Sequence, residues 1–180
     1  MSNLPEPVRV FITLGSNIAP ETNVRRAVFM LRQNHHLALC AASRVYESAP
    51  VNAAGMIAPD QPVFLNAALL IETDYYTAFS LKYNALRFIE LCLGRVRVAD
   101  KFAPRPIDLD IALYSDQVID SPYITVPDPD ILTRAHVALP LADLAPDFKH
   151  PITGQTLAAI AALFRAMGDI RARDDLVLNA

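Results

Sequence analysis

The densest chemistry in the sequence lies in Pro104-Arg105-Pro106-Ile107-Asp108-Leu109-Asp110-Ile111. A strand alternates its faces with period two, so Asp108 and Asp110 project together while Leu109 and Ile111 go the other way. Two carboxylates so placed repel unless a cation stands between them. Magnesium takes such ligands, using one or two carboxylates completed by phosphates and water. An isolated D-x-D is more often a solvated strand end. The two prolines, the arginine and the apolar continuation weigh against that here. Just upstream, Arg87, Arg95, Arg97, Lys101 and Arg105 outnumber Glu90 and Asp100, a net +3 in a chain of total charge −3. Arginine forks match phosphate oxygens bidentately. Cations beside a carboxylate pair are what a metal-bound nucleotide needs, although a solvated basic loop has the same composition.

Two further polar residues sit in apolar patterns. Glu90 shares a helical stripe with Leu86 and Leu93, and a carboxylate there needs a partner, either an arginine or a ligand donor. Asn66, within Phe64-Leu65-Asn66-Ala67, offers a donor and an acceptor together, which suits a heterocycle edge or a satisfied core amide. No G-x-x-x-x-G-K-S phosphate loop and no kinase glycine loop occurs, so a nucleotide would be held by another route. Gly15-Ser16-Asn17 reads as a turn, with a second possible role in shaping a pocket floor.

The elements that must position these residues follow from periodicity. Strands are expected over 8–14, 37–47, 63–73 and 107–114, with a second short strand over 117–120. A helix opens at Pro20 with Val24, Ala27, Val28 and Leu31 on one stripe. Another spans 78–93, with Phe79, Tyr83, Leu86 and Leu93 at helical spacing, and Gly94 ends it. Short helical pieces are expected over 130–144 and an alanine-rich helix over 156–167; 171–180 is left unassigned. The stretch 48–62, with prolines at 50, 59 and 62, is long for a loop inside a compact domain. The order β-α-β-β-α-β, then a hairpin and helices, predicts an α+β fold: a ferredoxin-like antiparallel sheet with helices packed on it.

With 53% hydrophobic and 19% charged residues, the 180-residue chain is globular, and 1–180 is read as one domain. Its mild acidity argues against a nucleic-acid coat or a polybasic membrane binder. No apolar run reaches the ~20 residues of a membrane span and no signal peptide is evident, so a cytoplasmic setting is expected. Cys40 and Cys92 are expected to be buried free thiols.

Several segments together resemble the 6-hydroxymethyl-7,8-dihydropterin pyrophosphokinase family. They are Leu14-Gly15-Ser16-Asn17, Ser43 to Pro50, Asp60 to Ala67, Ile71-Glu72-Thr73, Glu90 with Gly94-Arg95-Val96-Arg97, Pro104 to Ile111, Val126-Pro127, Arg134, Val137 and Leu139-Pro140-Leu141. The resemblance implies transfer of pyrophosphate from ATP to the pterin hydroxymethyl oxygen, releasing AMP, in folate biosynthesis. It implies two Mg²⁺ ions on Asp108 and Asp110, with Arg95 and Arg105 completing the catalytic set. Arg87, Glu90, Arg95, Arg97, Arg105, Ile111, Thr125, Asp128 and Arg134 would face ATP. Ser48, Ala49, Val51, Phe64, Asn66, Phe102 and His136 would face the pterin. The partners are these two small molecules, and a monomer is slightly favoured.

Two departures from the family pattern stand out. The family reads Val-Pro-His-Pro where this chain has Val126-Pro127-Asp128-Pro129, which puts a negative charge near the nucleotide phosphates. His136 stands where the family has an aromatic on the second face of the pterin, and imidazole stacks with less apolar area. These changes keep open an alternative, a catalytically weak or altered-specificity pterin- or nucleotide-binding relative. A ferredoxin-like interaction module ranks below both.

Overall fold

The computed structural model describes residues 6–51, 56–100, 103–166, 168 and 170–179. Its elements are β1 (Val8–Ser16), α1 (Pro20–Arg32), β2 (Ala38–Ala42), β3 (Tyr46–Ser48) and β4 (Phe64–Thr73). One helical run then holds α2 (Ala78–Ser80), a π-helical stretch (Leu81–Leu86) and α3 (Arg87–Cys92). The rest are β5 (Asp108–Tyr114), β6 (Ile119–Asp120), β7 (Thr125–Val126), a 3₁₀ turn (Pro129–Leu132), α4 (Ala135–Leu144), α5 (Leu157–Arg165) and β8 (Ile170–Ala172).

The sheet runs β5-β1-β4-β3-β8, with β2 also on β4, and every pairing is antiparallel. This is the ferredoxin-like order expected from the sequence. Helices cover both faces, and that is why β1 and β4 read as near-continuous apolar runs rather than alternating ones. Val10, Ile12, Leu14, Leu69 and Ile71 pack with Val24, Val28, Leu31, Leu86 and Ile89 on one face. Phe11, Ala68 and Leu113 pack with Leu139, Leu141, Ile160 and Phe164 on the other.

Several local expectations change. The strand expected over 37–47 splits into β2 and β3 because Ser43 stands in for a rung: its hydroxyl accepts from Ala68 N at 2.8 Å and donates to Arg44 O. Gly15 and Ser16 continue β1 rather than turning it. Phe79 and Tyr83 do not share the core stripe of their helix. The i→i+5 bonding of the π stretch adds about one residue to a turn, so the expected Leu86 and Leu93 are buried with Leu81, Ala85 and Ile89 in place of the two aromatics. Phe79 and Tyr83 stack on each other outside, at 4.6 Å between ring centroids. The short strand near 117–120 pairs with Thr125–Val126 to make the hairpin. Cys40 and Cys92 are free but exposed, not buried, one on the outer strand β2 and the other at the end of α3.

The unassigned tail is structural. β8 adds an edge strand to β3, Arg173 N donates to Val45 O, and Leu176 and Leu178 enter the core shared with α1. Leu176→Ala is therefore expected to cost about 2–5 kcal/mol in a denaturant melt. A loss below about 0.5 kcal/mol would show that the tail is not part of the core.

Candidate functional site

The backbone entering β5 is held by three separate devices. First, Gly94 adopts φ +83°, and the chain leaves the helix with Arg95 N on Glu90 O and Gly94 N on Leu91 O, a Schellman end that aims the arginines back toward β5. Second, the end of β1 grips residues 105–106. Ser16 Oγ donates to Pro106 O at 2.6 Å, Arg105 N donates to Asn17 Oδ1 at 2.7 Å, and Asn17 N donates to Arg105 O at 3.1 Å. Third, β5 is an outer strand, and the peptide groups of buried Leu109 are met by helix side chains. Leu109 N donates to Glu90 Oε1 at 2.9 Å, and Lys82 Nζ donates to Leu109 O at 2.8 Å.

These devices set Asp108 and Asp110 on one face of the strand, with Leu109 and Ile111 buried on the other. Across the sheet, Asp108 pairs with Gly15, Gly15 with Asn66, and Asn66 with Tyr46, so these residues form one row on the same face. Gly15 leaves a gap in the middle of that row. A Cβ there would lie 3.3 Å from Asn66 Oδ1 and 4.0 Å from Phe64 Cδ1. The gap is the floor of a cleft of about 440 Å³. One end is lined by Arg105, Asp108 and Asp110, and the other by Ser48 to Val51, Phe64 and Asn66. Asp128, Asp130, Arg134, His136 and Val137 close the side.

The charges are paired but not quenched. Asp108 meets Arg105 Nη1 at 2.6 Å and Arg95 Nη2 at 3.5 Å. Burial pushes its carboxyl up, but Arg95, the Arg105 hydrogen bond and Lys82 outweigh burial and hold it below the ordinary carboxylate range. Asp110 is paired with Lys82. Glu90 is buried, and burial raises its pKa against the pull of Leu109 N–H, Lys82 and Arg97, whose Nη2 donates to Glu90 Oε2 at 2.7 Å. Asp128 is pushed up to about 6 by burial, with Asp130 and Asp110 adding to the effect. Burial also lowers the His136 imidazole. Arg95 Nε is buried with no hydrogen-bond partner, so a strong donor is left over beside the carboxylates.

The sequence-derived residues divide by position. Ser48, Ala49, Val51, Phe64, Asn66, Arg105, Asp108, Asp110, Asp128, Arg134 and His136 line the cleft together. Arg95 and Arg97 line a smaller recess of about 90 Å³ that shares Arg105 with it. Glu90 has both oxygens engaged, the arginine-paired reading rather than an open acceptor. Arg87 stacks over Tyr83 at 4.2 Å, Ile111 points its side chain into the core, and Thr125 is exposed on β7. Phe102 lies outside the described residues. Asp128 is the cap of the 3₁₀ turn, accepting from Asp130 N at 2.9 Å. Sequence reading missed Lys82, whose signal was its place on the Leu86–Glu90 stripe.

The donor set at Asp108 and Asp110 suits a hard divalent cation. Both are oxygen ligands on one face, with a spare arginine donor nearby for the phosphates that complete a magnesium shell. No cluster of three or more His, Cys, Asp or Glu exists among the described residues, so protein groups alone make no dedicated metal cage there.

Comparison with known proteins agrees with this geometry. A sequence profile for 7,8-dihydro-6-hydroxymethylpterin-pyrophosphokinase matches residues 11–146. The 2-amino-4-hydroxy-6-hydroxymethyldihydropteridine pyrophosphokinase of Pseudomonas aeruginosa is 39% identical over 144 residues, covering 79% of this chain and 84% of that protein. The folic acid synthesis protein fol1 of Pneumocystis carinii is 36% identical over 150 residues; they cover 83% of this chain but only 19% of that longer protein. A crystal structure of a doubly substituted Plasmodium falciparum HPPK-DHPS with pterin and p-hydroxybenzoate superposes with a TM-score of 0.71 at 11% identity. That match covers 95% of this chain and 48% of that one, and it supports the fold alone. With its carboxylate strand, arginine loop and glycine floor inside the matched region, the chain belongs to the 7,8-dihydro-6-hydroxymethylpterin-pyrophosphokinase family.

Proposed function

We propose that this cleft transfers the pyrophosphoryl group of ATP to the hydroxymethyl oxygen of 6-hydroxymethyl-7,8-dihydropterin, giving AMP and the pterin diphosphate. The observation that carries the reading is the polarity of the cleft: a carboxylate and arginine end, and an amide and aromatic end, joined over Gly15. Phosphoryl-type transfer needs positioning and charge stabilisation more than covalent help from the protein. Arg95 and Arg105 supply fixed cations for phosphate oxygens, and Arg134 supplies another from the opposite wall. Asn66 Nδ2 already donates to Ser48 Oγ at 2.9 Å, which holds the amide with its Oδ1 available to a ring N–H. Phe64 offers a ring face, with the Arg105 guanidinium 5.7 Å from its centroid. His136 offers the second face. Arg97, Glu90 and Lys82 act from behind by holding β5.

Asp108 and Asp110 would hold two Mg²⁺ ions, which when bound neutralise phosphate charge and polarise the transferring group. We read residues 1–180 as one domain, supported by the tail's edge strand and core leucines. A cytoplasmic setting is supported by the two free thiols. No helix among the described residues is long and apolar enough to cross a membrane.

Incubation with ATP, Mg²⁺ and the hydroxymethyl dihydropterin is expected to release AMP. Asp108→Ala and Asp110→Ala are each expected to slow that release about 10²-fold or more. Undiminished AMP formation in both variants would contradict the reading.

Asp128 gives a pH signature. Its folded pKa of about 6 lies above the ordinary aspartate value of 3.8. Its contribution to stability is therefore full below the unfolded pKa and lost as pH rises through about 6. Melts of the nucleotide-free protein in chelator should show this decline in the wild type. Asp128→Asn keeps an oxygen for the cap and should flatten it. Parallel profiles in the two proteins would contradict the assignment.

A further inference from the structure

We propose that Lys82 is a tethered counter-ion that competes with the divalent metal for Asp110. The proposal rests on the reading of Asp108 and Asp110 as the metal carboxylates. Lys82 lies on the π stretch, on the helix side of the sheet, yet its side chain reaches past the outer edge of β5 to the cleft face. Only 12% of that side chain is exposed. A lysine so covered must have its charge paired. It has two partners: Leu109 O, which fixes the ammonium at the strand edge, and the Asp110 carboxylate, which takes its charge.

The two contacts have different consequences. The bond to Leu109 O is backbone support and would serve any occupant of the cleft. The pairing with Asp110 places a cation on an oxygen that the metal needs. An entering metal must replace that charge pairing, which holds whatever the strength of the ion pair. Because Lys82 is anchored at Leu109 O, it stays near Asp110, and it also acts electrostatically on Asp128. With Asp108 already paired to Arg105 and Arg95, Lys82 leaves the metal-free cleft without an uncompensated charge on Asp110, and metal without phosphates gains little there.

The test is Mn²⁺ binding to the nucleotide-free full chain, read by EPR, in wild type, Lys82→Met, Lys82→Gln and Lys82→Arg. Lys82→Met and Lys82→Gln are expected to bind Mn²⁺ about tenfold tighter or more, and Lys82→Arg as weakly as the wild type. Lys82→Gln keeps a donor for Leu109 O, so it carries the test if Lys82→Met does not fold. Unchanged or weaker binding in Lys82→Gln would overturn the proposal and leave Lys82 as backbone support alone. The same titration with Asp110→Asn added to Lys82→Gln is expected to abolish the gain. If Mn²⁺ binding is indifferent to Asp108→Asn and Asp110→Asn in every background, the metal-site reading itself has failed.

Discussion

Leu109 is fully buried on the outer strand of the sheet, with no neighbouring strand among the described residues to meet its outward peptide groups. A buried N–H and C=O must be satisfied internally. Here one helical run supplies an acceptor from Glu90 and a donor from Lys82, so the two side chains do the work of a missing strand partner. Because Leu109 lies between Asp108 and Asp110, fixing its peptide groups fixes the two carboxylates on either side. The same two side chains bring a negative and a positive charge to that edge. Arg97 then balances Glu90, and Asp110 balances Lys82. The backbone constraint and the charge pattern of the cleft therefore share the same atoms.

Much of this was legible in the sequence for definite reasons. Period-two alternation at 108–111 put the carboxylates together, and Gly94 marked a helix end whose geometry aims Arg95. The β-α-β-β-α-β order gave the sheet order. Other features depended on contacts that one-dimensional patterns do not carry. The π stretch rotates the helix, so the aromatic stripe at Phe79 and Tyr83 lies outside and Lys82 reaches the strand edge. Gly15 read first as a turn, because glycine usually marks one, and second as part of a pocket floor, which is where it lies. Its structural use is a missing side chain between Asp108 and Asn66. The tail carried no periodicity because it contributes one short strand and two isolated leucines.

The departures at Asp128 and His136 acquire physical content in the structure. Asp128 is not simply a negative charge placed against phosphates. Its carboxylate caps the 3₁₀ turn that leads into Arg134 and α4, and its burial raises its pKa. Substitution there alters the wall that carries Arg134 as well as the local field. His136 is half-buried on the same wall with its pKa lowered by burial, which favours a neutral ring against a heterocycle.

On this reading a metal–nucleotide complex binds at Asp108 and Asp110 and displaces Lys82 from the Asp110 carboxylate. A crystal structure with Mg²⁺ and a non-hydrolysable ATP analogue tests this most directly. It should show metal on Asp108 and Asp110, phosphates against Arg95 and Arg105, and Lys82 off the Asp110 carboxylate while still bound to Leu109 O. A structure with the triphosphate bound elsewhere, and Asp108 and Asp110 still paired with Arg105 and Lys82, would contradict it.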